Sequence, residues 1–382
     1  MLTNSDIVEL TAFRRHLHAH PELSGQEEWT AATIAAALAP LCPDRIVTGL
    51  GGHGVAAVFD GAEPGPTLMF RSELDALPIE ELTDASHRST HPGKGHLCGH
   101  DGHSTILLGL ARLVVRHRPA RGRVVLMFQP AEEDGSGAAA VIADPQFTKL
   151  MPDWAFSLHN MPGVAFGDVL LAAGPVNCAS RGLKLMFSGK TSHASVPEAG
   201  VSPAQALARL IPAITAAGPG GAVGPGYKLT TITHMTMGAP AFGISPGAGE
   251  LWVTLRTLTD IDMEHLLKDL SHLADVEAKR AGLGLTLSHH DVFHACHNNA
   301  EATDRFAQAL AAEGVSYANG ALPMRASEDF GLFGSFAKSA MIFLGAGAKY
   351  PMLHNPDYDF PDALIPLGTR IFNRVLRDLL GG

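Results

Sequence analysis

Charge is scarce in this chain. Charged residues make up 17 % of its 382 positions, the net charge is −10, and no run of Lys or Arg occurs. A nucleic-acid partner needs a basic stripe to displace counterions from phosphates, so that class is excluded. Cysteine is scarce too. Cys42, Cys98, Cys178 and Cys296 are widely scattered, which is unlike a disulfide framework and points to a reducing, cytoplasmic setting. Cys98 is then available as a thiolate. No apolar run approaches the ~20 residues needed to span a bilayer, and the N-terminus lacks a basic segment followed by an apolar one. No membrane partner and no targeting segment are expected.

Apolar residues, glycine and proline are abundant. With 46 % hydrophobic residues the chain has material for more than one core, and 41 glycines with 25 prolines imply many tight loops. Helical spacing marks IVELTAFRRHL near the start and a second helix over 27–38. Apolar strands are expected at 54–59, 66–74, 123–130 and 155–160, with a helix at 104–117 capped by Ser104. This alternation predicts an α/β layered domain with a largely parallel sheet. After Cys178 the order becomes strand 183–190, helix 203–217, strands 228–238 and 250–260, helix 263–282 and strand 285–293. That β-α-β-β-α-β order is a split ferredoxin-like unit inserted as a second domain. The α/β pattern resumes with a helix at 301–313, a strand at 339–345 and a final helix at 364–380. The first domain is therefore discontinuous, 1–177 joined to 295–382, and the insert covers 178–294.

The stretch GHLCGHDGH, 95–103, concentrates Cys98, His100, Asp101 and His103 between glycines. Cys98 and His100 lie two residues apart, so in an extended backbone both side chains point the same way. Glu132 and Glu133 follow directly on an apolar strand, at the end where open α/β sheets present ligands. His159 ends the strand AFSLH, and His354 lies in a loop after the strand at 339–345. Each group alone has an ordinary explanation: a lone Cys is often a small core residue, a strand His a satisfied structural one, and paired Glu a solvated patch. Their recurrence at strand ends of one sheet is different. Thiolate, imidazole and carboxylate together suit Zn, Mn, Ni or Co.

The segments RRHLHAHPELSGQE, RSELDALPIEE, HLCGHDGHSTILLG, FQPAEEDGSGA, SLHNMPG, SHASVPEAGVSPAQA, SEDFG and LHNPDYDFPD follow one another along nearly the whole chain. Together they resemble the aminoacylase and hippurate-hydrolase family of metallo-amidohydrolases. The resemblance implies a phosphorylase/hydrolase-like α/β catalytic domain, its mixed sheet flanked by helices, with an inserted ferredoxin-like α+β dimerisation domain. It implies two divalent metal ions per chain, held by Cys98, His100, Glu133, His159 and His354, with the Cys98 thiolate bridging them. Glu132 would be the general base toward a metal-activated water, acting on a small-molecule amide substrate. Asp75, Asp101 and His103 would orient ligands or loops. His193 would stabilise the oxyanion, from a partner subunit in several relatives, and Arg256 would meet a substrate carboxylate. The implied assembly is a homodimer or a tetramer.

Two positions depart from the family pattern. Gly243 stands where relatives usually carry an Asn whose amide bonds substrate, and Glu73 where they often carry Asp. Three other classes fit parts of the pattern: a hydrolase with Cys98 as nucleophile, a non-catalytic binding homologue, and a peptidase acting on dipeptides.

Overall fold

A computed structural model describes all 382 residues. The chain divides into two compact units: Met1–Val176, His297–Leu322 and Asp329–Gly382 form the first, Asn177–Cys296 and Pro323–Glu328 the second. Pro323–Glu328 is a segment that the sequence pattern grouped with the first domain. It is held in the second by the Cys178 N–H, 3.1 Å from the carbonyls of both Met324 and Ala326. Such long-range bonds leave no trace in local composition.

The first unit is built on an eight-stranded mixed sheet. Its four central strands, in the order Arg121–Gln129, Glu63–Glu73, Trp154–Pro162 and Lys338–Gly347, all run parallel. Residues such as Val124–Phe128 and Ala340–Leu344 are buried along consecutive positions, as strands covered on both faces require. Arg45–Leu50 and Gly54–Asp60 add antiparallel strands on one side. On the other side lie Val169–Leu170 and Tyr317–Ala318. The helices His100–Arg116 and Leu364–Leu380 pack against each other and against the Glu63–Glu73 strand.

Two local expectations fail here. The helix expected from Ser104 starts at His100, inside GHLCGHDGH and four residues earlier, with Gly99 at φ 95° as its cap. Ser104 therefore caps nothing and instead donates to the Glu73 carbonyl at 2.7 Å. The strand Arg45–Leu50 and the seven-residue helix Gly137–Ala143 were not expected. The first is a half-exposed edge, and the second is too short for periodicity to reveal.

The second unit has the β-α-β-β-α-β order, with an antiparallel sheet in the order Lys228–Met237, Ala248–Thr257, Ala179–Ser188 and Gly284–Phe293. Alternate residues Leu183, Leu185, Phe187, Leu251, Val253 and Leu255 form its core with the helices Ala204–Ala217 and Asp260–Ala281. The second helix begins at Asp260 because the Thr259 hydroxyl accepts from the Asp262 N–H at 3.2 Å. No helix is long and apolar enough to cross a membrane.

Candidate metal centre

Four neighbouring parallel strands present their C-terminal ends along one edge of the sheet, and chemistry-bearing residues follow each of them. Glu73 and Asp75 come from Glu63–Glu73, Glu132 and Glu133 from Arg121–Gln129, His159 from Trp154–Pro162, and His354 from the loop beyond Lys338–Gly347. Two ligand-bearing turns carry a non-glycine residue in the left-handed region, Ala131 at φ 49° and His354 itself at φ 66°. Such strain persists only where surrounding contacts enforce it. At Ala131 the enforcing contact is the buried Glu27, whose Oε1 accepts the Ala131 N–H at 2.8 Å.

Cys98 and His100 do converge, by a route other than the expected extended backbone. The left-handed Gly99 turns the chain, and His100 already occupies the first helical turn. Cys98, His100 and His159 bring their ligand atoms within 4.8 Å of one another, and so do Cys98, Glu133 and His354. Cys98 is common to both triads. His100, Glu132 and Glu133 form a third group.

Carboxylates and buried imidazoles crowd around one thiol here, a donor set that suits a divalent cation. The Cys98 thiol is pushed well above its ordinary value by burial and then by the Glu133 and Glu132 carboxylates. An isolated nucleophilic thiolate is disfavoured by those neighbours, whereas a cation among them reverses the effect. The His100 Nε2 is buried without a hydrogen-bond partner, 3.9 Å from both Glu132 Oε2 and Glu133 Oε1. Its Nδ1 faces Asp75, 2.9 Å from the carbonyl and 3.2 Å from Oδ1. Asp75 also accepts from Ser24 Oγ at 2.7 Å and from the Glu133 N–H at 2.9 Å. It thus links two ligand-bearing segments, and despite burial its bond to His100 holds it below the usual carboxylate range. His159 is pushed well below its ordinary value by burial and by His103, so it is neutral. Its Nδ1–H donates to the Asn160 carbonyl at 2.7 Å, which leaves Nε2 3.4 Å from Cys98 Sγ. His354 Nε2 is 3.6 Å from Glu133 Oε2 and is half-exposed.

His103 has both ring nitrogens engaged. Nδ1 bonds Glu73 at 2.7 Å, and Nε2 accepts from the Asn160 N–H at 3.0 Å. With Glu73 and His100 it forms another group whose ligand atoms lie within 4.8 Å of one another. Burial opposes ionisation of Glu73, but Arg71 and then His103 keep it well below the usual carboxylate range. Asp101 accepts from His18 at 2.9 Å and from Arg14 at 3.3 Å. Arg14 is fully buried and also bonds Asp359 at 2.5 Å and Asp362 at 2.8 Å. It ties the helix that starts at His100 to the loop that carries His354. Residue-by-residue reading missed Arg14, His18, Asp359, Asp362 and Asn160. For Arg14, His18, Asp359 and Asp362 the available signal was complementary charge in RRHLHAH and NPDYDFPD, and Asn160 had none of that kind.

Three candidates lie in the second unit. His193 is exposed, and its Nδ1 accepts from the Ser195 N–H at 3.1 Å and lies 2.7 Å from the Ser195 hydroxyl. Gly243 lies beside it across a short ribbon, its carbonyl 3.0 Å from the Ala194 N–H. Arg256 donates from one terminal nitrogen to the Arg325 carbonyl at 2.7 Å and to Ser327 Oγ at 2.9 Å. That nitrogen therefore already secures Pro323–Glu328.

Comparison with known proteins identifies the family of the chain. Hippurate hydrolase of Campylobacter jejuni is 30 % identical over 367 residues, covering 94 % of this chain and 93 % of its own. N-acetyl-L-cysteine deacetylase of Bacillus subtilis is 40 % identical over 211 residues, about half of each protein (54 % and 49 %). A dinuclear metal-binding peptidase of the M20 family from Bacillus subtilis superposes with a TM-score of 0.83 at 24 % identity, covering 99 % of both chains. The sequence pattern of peptidase family M20/M25/M40 matches residues 69–378. A match of that extent, running through the strand ends that gather Cys98, His100, Glu133, His159 and His354, makes this chain a member of the M20/M25/M40 peptidase family.

Proposed function

We propose that the chain hydrolyses the amide bond of N-acyl amino acids or closely related small amides, with two divalent ions held by Cys98, His100, Glu133, His159 and His354. The observation that carries this reading is Cys98 standing in two ligand triads at once, with Glu132 beside His100. When bound, such ions supply Lewis acidity toward a carbonyl oxygen and lower the pKa of water. Asp75 fixes the ring of His100 so that Nε2 faces the centre, and the Asn160 carbonyl does the same for His159. Glu132 takes a proton from the attacking water as the new C–O bond forms. It returns that proton to the departing nitrogen as the C–N bond breaks. His193, with Nδ1 engaged by Ser195, has Nε2 left to donate to the developing oxyanion.

A second copy of the chain is the proposed partner. Met235, Met237, Phe242 and Ile244 expose apolar surface on and beside Lys228–Met237, an edge strand whose outer side has no neighbour in its sheet. A reducing, cytoplasmic setting is proposed as well, because Cys98 must remain a thiol to act as a ligand.

The test is elemental analysis with hydrolysis of a panel of N-acetyl and N-benzoyl amino acids, with and without chelator. About two ions per chain and chelator-sensitive amine release are expected. In the same assay Glu132→Gln should keep its metal and lose on the order of 10²–10⁴ in rate. Activity indifferent to chelator, in protein without stoichiometric metal, would overturn the reading.

A further inference from the structure

We propose that Asn160, a residue beside the centre rather than in it, is the positioning residue that locks three ligand-bearing segments to one another and so sets the affinity of the site for metal. The inference rests on the metal-centre reading above. Asn160 is fully buried at the end of Trp154–Pro162, and every polar group it owns is directed at a ligand-bearing element. Its backbone carbonyl receives the Nδ1–H of His159 at 2.7 Å, which fixes the tautomer that leaves Nε2 toward Cys98. Its side-chain Nδ2 donates to the Cys98 carbonyl at 2.6 Å. The same amide nitrogen and the backbone N–H lie 3.1 and 3.0 Å from His103 Nε2, on the helix that opens with His100. Its Oδ1 accepts from the hydroxyl of Tyr358, four residues beyond His354 in the same loop.

The side chain is not interchangeable with an apolar one of similar size. Cys98 offers a carbonyl, His103 an acceptor nitrogen and Tyr358 a donor hydroxyl, so the central residue must donate twice and accept once. Among side chains of this length only a primary amide does so. Position 99 enforces the placement from the other side. A Cβ on Gly99 would overlap Asn160 Nδ2 and come within 3.1 Å of Phe360, so the amide occupies the space that glycine vacates. Removing the amide would take this partner from the Cys98 carbonyl and the Tyr358 hydroxyl and leave His103 Nε2 with the backbone N–H alone. Each segment would then relax independently and the ligand atoms would separate.

The test uses the full chain stripped with a chelator and retitrated with Zn²⁺ against a chromophoric competitor. Absorption of the Co²⁺-loaded protein reports the geometry of the thiolate and imidazole ligands. Asn160→Asp keeps the shape but loses both side-chain N–H donors, and Asn160→Leu loses every side-chain polar group while the backbone bonds stay. Both should bind Zn²⁺ about 10–100-fold more weakly than wild type, and their Co²⁺ spectra should change in shape as well as intensity. Tyr358→Phe, which removes one hydroxyl, should show a smaller loss in the same direction. Folded Asn160 variants with wild-type Zn²⁺ affinity and an unchanged Co²⁺ spectrum would overturn the proposal. If neither Asn160 variant folds, Tyr358→Phe decides: weakened binding supports the proposal and unchanged binding overturns it. Wild-type protein that takes up no metal at all would instead defeat the metal-centre reading.

Discussion

Gly102 lies in the first turn of the helix His100–Arg116, and a Cβ there would come closer than 3.0 Å to three atoms of the Phe360 ring. Phe360 is itself only 1 % exposed and belongs to the loop that carries His354 and Tyr358. Two effects of Gly102→Ala oppose each other. Alanine is favoured over glycine within a helix by about 1 kcal/mol. Inserting a methyl group into a filled space costs about 1–3 kcal/mol. The contact involves several atoms of a rigid ring that has no open side, so the upper part of that range applies and the clash wins. The expected net loss is about 1–2 kcal/mol, a fall of about 2–8 °C in the melting temperature of the first unit. Calorimetry on Gly102→Ala, Phe360→Leu and the double variant tests the argument through the sign of one term. With the ring removed, Gly102→Ala should become neutral or stabilising, because only the helix preference is left. Equal destabilisation by Gly102→Ala in both backgrounds would refute the steric account, since independent sites add.

Three further outcomes follow from particular contacts. Against the effect of burial, Arg116 most of all, with Thr3 and Arg112, holds the Asp6 carboxyl below its ordinary value of 3.8. Its contribution is therefore present above about pH 4 and is lost as the pH falls through the lower folded value. Asp6→Asn should cost about 1 kcal/mol at pH 7, discounted because both arginines are partly solvated, and the gap to wild type should close in denaturant melts below about pH 4. His193→Ala should lower kcat and leave Zn²⁺ stoichiometry unchanged, and a mixed dimer carrying one Glu132→Gln chain should show whether His193 acts across subunits. At Gly243 an added Cβ meets nothing within 4 Å, so Gly243→Asn should leave the melting temperature unchanged and lower KM for N-acyl amino acids; an unchanged KM would remove position 243 from substrate recognition.

The layered α/β unit, its interruption by a β-α-β-β-α-β insert and the candidate ligands were all legible in the sequence. The reason is that burial on both faces of a parallel strand imposes continuous apolar runs, a half-wet sheet imposes alternation, and metal-capable side chains at strand ends have no packing role to hide behind. Only the tertiary structure decided the rest. Whether Cys98 and His100 point together depended on Gly99 adopting φ 95°, which the packing of Asn160 and Phe360 against that turn imposes. The place of Pro323–Glu328 depended on hydrogen bonds to Cys178 and Arg256. The supporting shell of Arg14, His18, Asp359, Asp362 and Asn160 is joined across separations of up to 348 residues. Local pattern carries the periodicity of burial, because each element solves that problem by itself. Pairings between distant side chains are chosen only when the whole core closes, and the candidate ligands are brought together by such pairings.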